Sequence, residues 1–219
     1  MRAMGRILTE RLLAATNFLV PALPGGYVPR LRLHAALDAA AELPLTVVVG
    51  VPGAGKSVML ESWLRDRPGL RSVWLSCDVR DADPAVFWLA LSTALIQAWP
   101  ERWLDVVDLL AEKEPDLDDV AIAVVNDLAD LGERVVLVID DFQFAEAATP
   151  SLGTLIGRLP ASCRVVAPVR VSSRTWRRRS VVDTASVLIM VTAASAAMTP
   201  RITLSPKLFC PVFWASWVL

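Results

Sequence analysis

Residues 47–64 read VVVGVPGAGKSVMLESWL. A β-branched apolar run ends at Gly50, a short Gly/Pro/Ala turn follows, and Lys56–Ser57 open a segment with apolar residues at helical spacing. Residues 50–57 fit the pattern G-x-x-x-x-G-K-[ST], and each part of it has a physical purpose. Gly50, Gly53 and Gly55 let the backbone turn tightly enough for successive N–H groups to converge on an anion. The following helix presents its positive dipole end to the same point. Lys56, one of three lysines in the chain, offers a compact cation to the β- and γ-phosphates, and Ser57 offers a hydroxyl to Mg²⁺. The motif requires a strand before it and a helix after it, and the pattern predicts both. The competing reading is a glycine-rich turn that binds nothing.

A phosphate loop needs an acid to hold the metal. The run VVLVIDD (135–141) is an apolar strand ending in an acidic pair, 84 residues beyond Lys56. Asp140, at the C-terminal end of that strand, is the candidate Mg²⁺ ligand, because open α/β sheets place their ligands there. Asp141 is the candidate to orient or deprotonate an attacking water. The alternative for the pair is a turn and helix cap.

The rest of the pattern supports an α/β fold. Leu31–Leu43 reads as a helix stopped by Pro44, and Leu45–Val49 as a buried strand. Ser57–Arg65 is helix-like and Ser72–Ser76 a second strand. Asp83–Pro84 starts a helix that carries Phe87, Trp88, Leu91 and Leu95 on one face. Leu117, Val120, Val124, Leu128 and Leu131 mark another, closed by Gly132. Val135–Ile139 and Arg164–Ala167 are the third and fourth strands. Strands alternating with helices predict a parallel sheet with helical crossovers on both faces.

Composition excludes little and sets a boundary. The 219 residues are 54% apolar and 21% charged, which is not a disordered composition. Charge is unevenly distributed. Residues 170–219 carry seven basic residues against one acid, Asp183, while residues 1–169 carry 15 against 22. This change of character suggests two segments, with a basic, apolar tail at 171–219; ahead of it a Pro/Gly-rich extended lead-in (1–30) precedes the α/β module (31–170). Cys77, Cys163, Cys210 and the single His34 have no metal-ligand or redox spacing and read as packing or surface residues. Arg2 and Arg6 precede no continuous apolar core with a small-residue cleavage site. The expected setting is therefore cytoplasmic.

Several blocks resemble, in order, the nucleotide-binding module of MalT-like, LuxR-type large ATP-binding transcriptional regulators, within the STAND class of P-loop ATPases. They are LLAATNFLVPALPGGYVPRLRL (12–33), VWLSCDVRDADPAVFWLAL (73–91), NDLADLGERVVLVIDDFQ (126–143) and LIGRLPASCRVVAPVR (155–170). The resemblance implies a P-loop NTPase fold with ATP and Mg²⁺ as ligands, Lys56 and Ser57 as the Walker A pair, and Asp140 as the metal acid. It matches Asp141 to the family's second acid and Arg170 to an arginine that senses the γ-phosphate. Arg30 and Val28 fall in the lead-in that borders the adenine. Two positions depart: Gln143 stands where the family often has His, and Pro168 lies inside the sensor strand.

After Arg170 the family pattern stops. Three readings of the tail stay open: an unnatural continuation from a frame change or truncation, a membrane tail over the uncharged Thr184–Pro200, and a divergent folded end. The resemblance also implies sheet order 5-1-4-3-2. A module truncated after the fourth strand would leave the phosphate-loop strand as an exposed apolar edge, prone to self-association. The expectation is thus a truncated ATP-binding module, at most a weak ATPase, without the sensor and DNA-binding domains; DNA and membrane are not expected partners. The alternatives are a P-loop phosphotransferase with a lid at Arg174–Arg179, and a fragment with no function of its own.

Overall fold

The computed structural model describes residues 15–100, 102–170 and 186–190. Among the described residues five strands form one sheet: β1 (Leu45–Gly50), β2 (Arg71–Ser76), β3 (Val135–Asp140), β4 (Cys163–Arg170) and β5 (Ser186–Met190). All are parallel, in the order β2-β3-β4-β1-β5. The helices are α1 (Leu31–Ala39), α2 (Lys56–Arg65), α3 (Pro84–Ala98), α4 (Leu104–Leu110), α5 (Leu117–Asp130) and α6 (Thr149–Arg158).

The period-two alternation of each strand divides its side chains between two cores. Val135, Leu137 and Ile139 of β3 join Phe87, Trp88, Leu91, Val120, Val124 and Leu155 on the face covered by α3, α5 and α6. Val136 and Val138 point the other way, to Leu37, Met59, Leu60 and Trp63 of α1 and α2. Every residue of β3 is buried, which explains why it reads as an unbroken apolar run rather than an alternating one. Asp140 has the parity of Val136 and Val138, so it belongs to the α2 face.

The α/β P-loop architecture is as the sequence predicts, with one correction: the sheet does not stop after four strands. The run Ser186–Met190 pairs in parallel with Leu45–Val49. The strand that feeds the phosphate loop is therefore interior, and the edge argument for self-association falls. Within the tail, Ser186–Met190 forms a strand; β-branched and long apolar residues over five positions are enough once β1 offers a ladder. The remainder of the tail, with Arg174–Arg179 and Cys210, lies outside the described residues. No helix among the described residues is long and apolar enough to cross a membrane.

Local differences have local causes. α1 ends at Ala39, earlier than Pro44 required, because the chain turns at residues 40–43 to bring Pro44 into line with β4; the Pro44 carbonyl accepts from the Val165 N–H at 2.8 Å. β4 extends through Pro168 to Arg170. Its ladder to β1 runs to Arg170, while its ladder to β3 ends at Val166, so the missing proline N–H falls past the β3 ladder. α4 has two turns and no side-chain cap, and it starts behind Trp103, a buried residue at φ 71°. The described part of the lead-in, from Ala15, has a 3₁₀ turn at Ala15–Phe18, where the Asn17 amide donates to Asp78 Oδ2 at 3.1 Å, and a tight turn in which the Tyr27 N–H donates to the Pro24 carbonyl at 3.1 Å.

Candidate functional site

The phosphate loop joins β1 to α2 at the C-terminal edge of the sheet. Gly53 (φ 77°) and Gly55 (φ 74°) both take the left-handed conformation that side chains disfavour, and Gly55 is the residue before α2. With glycine at that position no side chain caps the helix, so its first N–H groups are open to an anion. Lys56 is buried, and its ammonium donates to the carbonyl oxygens of Gly50 (3.1 Å) and Val51 (3.3 Å). Burial holds its pKa below the usual lysine value; the nearby Asp140 and Asp141 oppose this and Arg170 adds to it. These four groups thus share one electrostatic environment.

Asp140 is buried at the end of β3. Burial pushes its carboxyl above the usual carboxylate range, against a hydrogen bond from the Ser57 hydroxyl and the attraction of Lys56. A second hydrogen bond comes from the Asp141 N–H to Asp140 Oδ1 at 2.9 Å. A buried, under-compensated carboxylate beside a serine hydroxyl is a donor set that fits Mg²⁺, which takes hard oxygen ligands together with phosphate oxygens.

Asp141 follows at φ 53°, a left-handed conformation that aspartate tolerates. Its carboxylate is held from two sides. Arg170 Nε donates to Oδ1 at 2.7 Å and Arg170 Nη2 donates to Oδ2, a two-point fork. Gln143 Nε2 donates to Oδ1 at 3.0 Å, while Gln143 Oε1 accepts from the Arg170 backbone N–H at 3.1 Å. Arg170 in turn lies opposite Gly50 in the β1–β4 register, so the last residue of the fourth strand abuts the first residue of the phosphate loop.

Arg30 ends the lead-in and reaches the loop: Nη1 donates to the Ala54 carbonyl at 2.9 Å, and Nη2 lies 3.5 Å from the position a Gly55 Cβ would take. Val28 stands 77% exposed nearby in sequence. The structure therefore gathers Gly50, Gly53, Gly55, Lys56, Ser57, Asp140, Asp141, Arg170 and Arg30 around one loop. The bridging position of Gln143 was not legible as such. Its only signal was a departure from the expected residue two positions after the acid pair. Cys77 and Cys163 are buried, and burial pushes both thiols up, away from reactivity.

Residues 30–169 match the family described as the AAA ATPase domain. Among solved structures, a signal transduction ATPase with numerous domains (STAND) protein with a tetratricopeptide repeat sensor, from Pyrococcus horikoshii, superposes with TM-score 0.52 at 16% identity, over 81% of this chain and 25% of that one. The Walker-type ATPase of Pyrococcus abyssi superposes with TM-score 0.48 at 16% identity, over 67% of this chain and 46% of that one. At such identities the first likeness reaches the fold alone. This chain spans a quarter of the length of the one protein and just under half of the other. No curated protein matches it.

Proposed function

The chain belongs to the AAA ATPase domain family, and from that premise we propose that it is the nucleotide-switch module of a signal-responsive transcriptional regulator of the MalT-like, LuxR-type kind. The observation that carries the reading is the convergence of Lys56, Ser57, Asp140, Asp141 and Arg170 on one loop at the C-terminal edge of the sheet. ATP is the ligand. The loop N–H groups and the start of α2 receive its phosphates, and Lys56 exchanges its two carbonyl partners for β- and γ-phosphate oxygens. Ser57 and Asp140 would hold Mg²⁺, which when bound neutralises phosphate charge. Asp141 orients or deprotonates the attacking water, and Arg170 reads the γ-phosphate. Arg30, already bonded to the loop carbonyl of Ala54, borders the base with Val28.

In a switch of this kind the triphosphate state and the diphosphate state are two arrangements of the same module, and slow hydrolysis returns one to the other. The sequence blocks at 73–91 and 126–143 support the regulator reading. The second block ends β3 at Asp140, with Asp141 just beyond it, and the first follows β2 into α3. The competing phosphotransferase reading needs lid arginines at 174–179, which lie outside the described residues. Calorimetry with ATP and Mg²⁺, using Lys56→Ala as the control, tests the proposal. Saturable binding lost in the variant supports it, and equal binding by both proteins overturns the loop assignment.

A further inference from the structure

The two groups assigned to act on the γ-phosphate are engaged with each other. Arg170 spends its fork on Asp141, and among the described residues the donors to the Asp141 carboxylate are Arg170 and Gln143. We infer that Asp141, Arg170 and Gln143 form a latch that a nucleoside triphosphate opens and a diphosphate does not. The inference rests on the proposed ATP site. The pairing is of a kind that a terminal phosphate can replace: the carboxylate presents two oxygens to the guanidinium fork, as a phosphate would. Arg170 sits opposite Gly50, and its charge is felt at Lys56, so the arginine is already at the phosphate end of the loop.

A γ-phosphate competes with Asp141 for Arg170 and, on winning, removes two of the three donors on the carboxylate and opens the side facing the arginine to water. Gln143 is the positioning residue of this exchange. It holds Asp141 through Nε2 and the Arg170 main chain through Oε1, so both ends of the pair stay in place while the guanidinium turns. A diphosphate has no group to offer Arg170, and the latch stays shut. In this way a resting module keeps its water-activating acid paired with the arginine until the triphosphate is seated.

The test is a double-mutant cycle on nucleotide affinity in the presence of Mg²⁺, read by calorimetry with ADP and a non-hydrolysable ATP analogue. Asp141→Asn removes the competing charge, so the analogue is expected to bind about fivefold more tightly, the size of an exposed ion pair at its upper end, with ADP changed by less than about twofold. In an Arg170→Met background the same substitution is expected to bring no gain, because the competition it relieves no longer exists. Asp141→Ala repeats the measurement with a side chain that cannot pair with arginine at all. A gain that persists with Arg170→Met would mean simple charge repulsion and would overturn the latch, as would no gain in either Asp141 variant. Failure of the underlying site has a different signature: binding of ADP and the analogue that is insensitive to Lys56→Ala.

Discussion

The ammonium of Lys56 lies 3.1 Å from the carbonyl oxygen of Gly50, so the cation of the phosphate loop is folded back on the loop's own backbone. It is buried there, and burial disfavours its charge. Lys56→Met keeps the length and removes the buried charge. Such a change removes a buried charge but also the attraction felt by the Asp140 carboxylate and the donor to two carbonyls, so the melting temperature of the free protein is expected to change little. Nucleotide affinity is expected to fall by about 100-fold, the equivalent of two weak charge-assisted hydrogen bonds. A variant that melts much lower and binds as before would make the lysine structural.

Asp140 sets stability against function. Its folded pKa is raised by burial. A raised folded value means a stabilising contribution that is fully present below the ordinary carboxylate pKa and lost as pH rises through the raised one. At neutral pH the ionised carboxylate therefore costs stability. Asp140→Asn is expected to raise the melting temperature at about pH 7, with the gain shrinking as the pH falls toward the ordinary carboxylate range. The same variant should lose the Mg²⁺ dependence of nucleotide affinity. Retention of that dependence would remove Asp140 from the metal site.

His34 gives a pH effect of opposite sign. It is buried on α1, its Nδ1 lies 3.6 Å from Asp66 Oδ2, and burial holds its pKa below the ordinary value of 6.5. A depressed folded value contributes stability that is present above pH 6.5 and lost as pH falls toward the folded pKa. Comparing wild type with His34→Gln in urea isolates this contribution from the acids, Asp81 and Asp140, whose raised values act in the other direction. The difference between the two proteins is expected to narrow as pH drops from 7 to about 5. A constant difference would mean that His34 does not titrate there.

Trp63 anchors the helix whose first turn is the phosphate loop. It is fully buried, its indole N–H donates to Asp38 Oδ1 at 3.0 Å, and the guanidiniums of Arg67 and Arg164 lie 5.1 and 5.0 Å from its ring. Trp63→Ala is expected to cost about 3–5 kcal/mol in urea unfolding, as large-to-small changes in a packed core do. Trp63→Phe keeps most of the volume but loses the indole donor and leaves Asp38 to Arg67 alone. A cost of about 1–2 kcal/mol is expected, set by one hydrogen bond to a charged group plus weaker ring contacts.

Some of these elements were legible because their causes are local. Asp83 caps α3 by accepting from the Ala85 N–H at 2.9 Å, as the Asp–Pro pair predicts. Gly132 takes φ 65° just past α5, and Gly53 and Gly55 take the left-handed turn that their pattern demands. α4 was not legible, since seven residues without a cap carry too little periodicity, and a buried Trp103 sets its start.

The sequence by itself determined the phosphate loop, the acid-ended strand and the alternation of strands and helices. Each of these rests on residues close together in the chain, where backbone sterics and side-chain period act directly. Only the tertiary structure decided that Ser186–Met190 covers β1 and that Gln143 joins Asp141 to Arg170. Strand pairing and a bridging amide depend on groups brought together from distant positions. Backbone ladders carry almost no side-chain code, and a glutamine donates or accepts wherever the fold happens to place a partner.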